Sequence, residues 1–207
     1  MNIISNNCIG GFIYRDIIKE QYKNPFIWSF MKTDPFFDMC ENFDTVDFRN
    51  VEDHLNDSSI YPENRSGLLI DGKYPLAFHH VWLDPNYPTP TVIKGWGNGI
   101  NVKCLDPRKY IREKYFKRLS RMNLDDKLVF CFYDASSPTN SAIRLVDACE
   151  KQKAHGIIIT SMDLNIESDK ILFLKSDDNW NKERNGWAPS LLATHSEAIR
   201  TFISSIS

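Results

Sequence analysis

Two uninterrupted apolar runs constrain this chain more than any other feature: Leu128-Val129-Phe130-Cys131-Phe132 and Gly156-Ile157-Ile158-Ile159-Thr160. A strand with one wet face alternates apolar and polar residues, whereas a run apolar at successive positions needs cover on both faces. Residues 140–151 between the runs read as a helix, and a strand–helix–strand connection lets neighbouring strands run parallel. A strand at 171–174 and a helix at 194–206, opened by the capping pair Thr194 and Glu197, continue the alternation. The pattern predicts an α/β chain: one Rossmann-like three-layer sandwich spanning 1–207, with a mainly parallel central sheet.

The N-terminal part opens with an apolar strand (Ile3, Ile4), a polar turn (Ser5, Asn6, Asn7, Cys8) and Gly10-Gly11 leading into a helix. Ile13, Tyr14, Ile17, Ile18 and Gln21 keep helical spacing, and Asn24-Pro25 is expected to end it, because a residue before proline is pushed out of the α region. Phe36, Met39, Cys40 and Phe43 fall at i, i+3, i+4 and i+7, which predicts a short helix with an acidic outer face. Residues 67–70 and 76–81 read as strands joined by Asp71-Gly72, a hairpin signal. Residues 82–101 hold so many prolines and glycines that they read as a loop-rich insertion. A helix over 107–122 follows, apolar at Ile111, Tyr115, Leu119 and Met122 and crowded elsewhere with Arg112, Lys114, Lys117, Arg118 and Arg121.

With 42% hydrophobic residues in 207, the chain can bury a substantial core, and its net charge of -2 offers no general attraction to nucleic acid. Its five cysteines form no CxxC pair and no zinc pattern, and no histidine pair has HxxxH or HExxH spacing, so no metal site is expected. No window approaches the roughly 18 apolar residues of a membrane span, and no signal peptide opens the sequence. A cytoplasmic protein is expected, with peripheral contact at the inner membrane through the basic helix.

Chemistry concentrates in the first turn. A thiol at Cys8, before a helix, sits where free N–H groups favour a thiolate and an oxyanion, with Asn6 and Asn7 as further donors. The same residues also suit a plain packing role, the two amides satisfying turn N–H groups. Gly10-Gly11 would let a phosphate approach the backbone, or let the helix pack closely on the strand. A base for Cys8 would come from His79, His80, His155 or His195, with His79-His80 placed on a strand. Asp134 follows an apolar strand, at the edge where open α/β sheets bind ligands. It could orient a sugar hydroxyl, act as a base, hold a diphosphate-bound metal, or belong to a helix-capping loop with Ser136 and Ser137. The basic helix suits an anionic lipid surface, a nucleotide sugar or CoA, or simple exposure to water.

Ser5-Asn6-Asn7-Cys8-Ile9-Gly10-Gly11, then Tyr14-Arg15, then Asn24-Pro25-Phe26, resembles the opening of a bacterial family of unknown function whose members are labelled exopolysaccharide or capsule biosynthesis proteins. Tyr115, Lys117-Arg118, Arg121-Met122-Asn123 and the strand ending at Tyr133-Asp134 resemble a second block of that family. Before the basic helix the family has a His-Tyr pair where this chain has Lys103-Cys104, and His79-His80 could substitute. The resemblance implies a cell-envelope glycan pathway. Within it, Ser5, Asn6, Asn7, Gly10, Gly11, Tyr14, Arg15, Arg118 and Arg121 would bind substrate or cofactor, with Cys8, His79, His80 and Asp134 as the catalytic candidates. The expectation is a transferase of surface polysaccharide assembly that acylates a sugar or lipid-linked sugar through Cys8, drawing on acyl-CoA. The alternatives are a glycosyl or phosphosugar transferase using a nucleotide sugar, and a non-catalytic accessory protein of the assembly complex.

Overall fold

A computed structural model describes residues 1–54, 65–82, 91–93, 101–103, 107–133, 138–160, 168–175 and 187–206. The chain is mixed α/β, with ten strands in two sheets among the described residues. Four strands, β1 (Asn2–Ser5), β8 (Leu128–Tyr133), β9 (His155–Thr160) and β10 (Ile171–Lys175), pair in parallel in that spatial order. The remaining six form an antiparallel sheet: β2 (Ser29–Phe30), β3 (Val51–His54), β4 (Arg65–Ile70), β5 (Tyr74–Trp82), β6 (Thr91–Ile93) and β7 (Asn101–Lys103). A single mainly parallel sheet is therefore not what forms.

The parallel sheet is covered as its apolar runs require. Side chains alternate across a strand, so Ile3, Val129, Cys131, Ile157 and Ile159 enter one apolar cluster while Ile4, Phe130, Phe132 and Ile158 enter another. The first cluster is closed by α1 (Ile9–Phe12), which runs on as a π-helical turn at Ile13–Ile18, and by α5 (Trp187–Ile206). The second is closed by α2 (Thr33–Glu41) and α4 (Pro138–Lys151), and it continues into the antiparallel sheet through Leu68, Ile70, Leu76 and Phe78. The basic helix α3 (Pro107–Leu119) contributes Ile111 and Tyr115 to that continuation.

Several boundaries differ from the sequence reading. The first helix stops at Ile18, because Lys19 adopts a left-handed conformation (φ 60°), well before Asn24-Pro25. Helix α5 starts at Trp187, so Thr194 and Glu197 lie inside it and do not cap it. The hairpin forms at Asp71-Gly72, where φ values of 52° and 63° suit a turn with two left-handed residues. Helix α2 buries Phe36, Met39 and Cys40, with Phe43 buried just beyond it. Its acidic face holds Arg144 of α4, whose guanidinium reaches Asp34 (3.2 Å), Asp38 (2.7 Å) and Glu41 (2.9 Å) and lies over the Phe37 ring. Among the described residues no helix is long and apolar enough to cross a membrane.

Candidate functional site

The turn after β1 lies at the carboxyl edge of the parallel sheet. Asn6 holds it there by acting as one more strand residue. Its Oδ1 accepts from the Tyr133 N–H (3.1 Å), its Nδ2 donates to the Tyr133 carbonyl (3.0 Å), and its own N–H reaches the Cys131 carbonyl (3.3 Å). The Asn6 side chain is thus committed to joining β1 with β8, with one of its two Nδ2 hydrogens used there. Asn7 Oδ1 accepts from the Ile9 N–H (2.9 Å), which closes an Asx turn, and Ser5 Oγ accepts from the Asn7 N–H (3.4 Å). Asn7 is only half-buried.

Cys8 follows this turn and is 4% exposed. Its carbonyl accepts from the Gly11 (3.0 Å) and Phe12 (3.3 Å) N–H groups, which starts the helix. The two glycines serve close packing: a Cβ on Gly10 would stand 2.9 Å from the Ser5 Cβ, and one on Gly11 would stand 2.6 Å from the Trp28 ring. Trp28 itself has φ 58°, a conformation costing about 1–3 kcal/mol for a residue of that size, held by Phe12 and Tyr22 packed edge-on.

Tyr14 and Asn24 serve the outer edge of β1. β1 is an edge strand, and Ile3 turns its backbone groups away from β8. The Ile3 N–H donates to the Tyr14 hydroxyl (3.2 Å), which donates to the Met1 carbonyl (2.8 Å), and Asn24 Nδ2 donates to the Ile3 carbonyl (2.9 Å). Burial pushes the Tyr14 hydroxyl pKa up to about 12, so it stays protonated for this work. Arg15 lies on the outer side of the helix, paired with Asp16 (2.6 Å) and stacked over Phe12 and Trp28.

The residue the sequence reading missed is Lys114. Tyr110, Lys114 and Arg118 succeed one another at four-residue steps on α3, about 6 Å apart along the axis. The Lys114 ammonium lies over the Tyr110 (5.6 Å) and Phe78 (5.8 Å) rings, and among the described residues it has neither a hydrogen bond nor an ion pair. Burial, followed by the neighbouring Arg118 charge, lowers its pKa to about 8, and Cys8 is close enough for a thiolate there to oppose that shift. Arg118 is 7% exposed, donates to the Ile27 carbonyl and lies over the Tyr22 ring (5.8 Å). Burial, then Arg121, lowers its pKa to about 10. Arg121 donates from Nε to the Lys117 carbonyl (3.1 Å).

The histidines divide. His155 begins β9, at the opposite end of the sheet from Cys8, and His195 Nε2 meets the Lys175 carbonyl (2.9 Å) on β10, the far edge strand. His79 and His80 continue β5 directly after Phe78, whose ring faces Lys114, while their side chains lie outside the described residues. Asp134 also lies outside them, next in sequence to Tyr133. The structure therefore sets Lys114 of α3 next to Arg118, within electrostatic reach of Cys8 and over Phe78 of β5, while Tyr14 serves the edge of β1 and Arg15 lies on the outer side of the first helix. Only the basic crowding of α3 hinted at Lys114, since spacing alone does not say which of its cations turns inward.

A family model described as "Domain of unknown function (DUF1919)" matches residues 1–170. The chain belongs to this family. The match covers β1, the Cys8 turn, the antiparallel sheet, α3, β8, α4 and β9, so every group gathered at the site lies within the DUF1919 region. No curated protein and no solved structure matches the chain.

Proposed function

We propose that this chain is a transferase of bacterial surface-polysaccharide assembly, acting on the cytoplasmic side, that moves an acyl group from a thioester such as acyl-CoA onto a sugar by way of Cys8. The reading takes the parallel sheet as a Rossmann-like core with its site at the carboxyl edge. The observation that carries it is the amine of Lys114, which has no ion pair among the described residues, lies over the Tyr110 and Phe78 rings and is within electrostatic reach of Cys8. A half-buried amine with pKa near 8 exchanges protons readily at neutral pH, as a general base must.

In this reading Lys114 takes the Cys8 proton and the sulfur bonds to the donor carbonyl carbon. The donor C–S bond breaks, and the departing thiolate takes the proton from Lys114. A sugar hydroxyl then attacks the acylated Cys8, its proton passes to Lys114, the second C–S bond breaks, and the Cys8 thiolate is reprotonated. Asn7 Nδ2 supplies an oxyanion donor in place of the committed Asn6. The test compares the acyl content of the surface glycan in strains carrying Cys8→Ala, Cys8→Ser or the native chain. Loss in both variants is expected, and full acylation in both would remove the nucleophile from the scheme.

A further inference from the structure

A groove of about 520 Å³ lies between α3 and β3, lined by Asp53, Arg108, Lys109, Arg112, Glu113 and Phe116. Small-molecule sites have volumes of roughly 300–1,000 Å³, so one ligand of moderate size fits. Among the described residues β3 ends the strand order of its sheet. The Asn50 carbonyl accepts from the Asp71 N–H (2.7 Å), so by antiparallel alternation Val51 and Asp53 turn their peptide groups away from β4. Arg112 reaches across from α3 to this open side. One nitrogen of its guanidinium donates to the Val51 carbonyl (3.3 Å) and to Asp53 Oδ1 (3.1 Å), which fixes the two walls of the groove against each other.

The lining changes along the helix. Arg108, Arg112 and Phe116 succeed one another at four-residue steps, about 12 Å from first to last. At one end Arg108 is exposed, with neither a hydrogen bond nor an ion pair among the described residues. Beside it Lys109 meets Glu113 only at 3.9 Å, both side chains being largely exposed, so this cation is easily drawn to a stronger anion. At the other end the Phe116 ring is 37% exposed, 6.0 Å from the Arg112 guanidinium. Between the ends stands the Asp53 carboxylate, held in place by Arg112 and able to accept from hydroxyls.

A ligand for this groove needs negative charge at one end, a flat apolar face at the other and hydroxyl groups between them. An inorganic phosphate meets only the first requirement, an aromatic hydrocarbon only the second and a neutral sugar only the third. A nucleoside diphosphate meets all three in that order and at a comparable length. We propose that the groove seats a nucleoside diphosphate, its base stacked on Phe116, its ribose hydroxyls at Asp53 and its phosphates at Arg108 and Lys109. Aromatic faces take any base by stacking, and a guanidinium matches phosphate oxygens in a two-pronged way. Coenzyme A and nucleotide sugars both carry this group. The seat therefore does not depend on the acyl-transfer reading, although coenzyme A bound there would supply that reading with its donor.

Calorimetry and thermal shift of the full chain at constant ionic strength compare ADP, UDP, coenzyme A and UDP-glucose with inorganic pyrophosphate. Binding of ADP or UDP about tenfold tighter than pyrophosphate is expected, lost about tenfold in Phe116→Ala and again in Arg108→Gln. Both residues are exposed, so neither variant should lower the melting temperature of the unliganded chain. Arg112 is left intact because it also joins α3 to β3. Tighter binding of coenzyme A than of ADP assigns coenzyme A to the seat, and tighter binding of UDP-glucose than of UDP assigns a nucleotide sugar. Nucleoside diphosphates binding no tighter than pyrophosphate, or unaffected by both substitutions, overturn the seat. Should that occur while Cys8→Ala abolishes acylation, the acyl-transfer reading stands without it. Should the seat bind while Cys8→Ala leaves acylation intact, the transfer reading falls and the seat remains.

Discussion

Two places where helices meet the rest of the molecule handle positive charge in opposite ways. Between α2 and α4 one guanidinium, Arg144, is surrounded by three carboxylates of a neighbouring helix. On α3 and the turn that follows it, Lys114, Arg118 and Arg121 have aromatic faces and backbone carbonyls as their only partners among the described residues. The first arrangement is complete within the chain and serves to join two helices. The second costs stability as it stands; the β1 turn is locked separately, by the Asn6 side chain on Tyr133. An arrangement finished internally reads as architecture, and one left electrostatically open reads as a place for something else.

The largest effect should come from removing the lock. Asn6→Ala deletes both bonds to Tyr133 and leaves a peptide N–H and C=O without strand partners, so a loss of about 3 kcal/mol is expected in urea unfolding. A loss under about 0.5 kcal/mol would show that the turn is held by packing alone.

The next test addresses the open corner through pH. The Lys114 pKa, near 8 in the folded chain, lies below the 10.5 of a free lysine because burial, then Arg118, disfavours the ammonium. The unfolded chain therefore binds more protons between these values, and stability contributed by this group rises with pH from about 8 to about 10.5. Below 8 the penalty is complete. Allowing for solvent that reaches the half-buried amine, it amounts to about 2 kcal/mol. Lys114→Met should flatten this rise relative to the native chain across the same pH range. Parallel curves for the two proteins would mean that the amine is well solvated.

The smallest effect is expected at the complete corner. Arg144→Met should cost about 1 kcal/mol, since all three carboxylates are partly or largely exposed, and the difference should shrink in high salt. A salt-independent loss would instead point to the stacking of Arg144 on Phe37.

The sequence was most readable where local pattern and tertiary role agree. The runs at 128–132 and 156–160 could only be strands covered on both faces, and Asp71-Gly72 could hardly be anything but a hairpin turn. It was least readable where the outcome depends on neighbours distant in the chain. Thr194 and Glu197 have the right residue types for a cap, yet α5 begins earlier. Tyr14 read as a binding residue through the family resemblance, and Asn24 as a helix end, because neither shows in sequence what its polar group bonds. Those bonds exist only because β1 lies at the edge of its sheet, a fact of strand order that no local spacing encodes. The same holds for Lys114: helical spacing puts several cations around α3, and only the approach of β5 and the Cys8 turn singles one out.

The side chains that occupy the outer side of β1 have a consequence for association between molecules. A bare edge strand is a template on which another chain can add its own strand, and through it sheets grow into aggregates. With the Ile3 N–H and carbonyl already bonded to Tyr14 and Asn24, that template is filled from within. Two copies of this protein cannot zip together along β1 without first evicting a tyrosine and an asparagine.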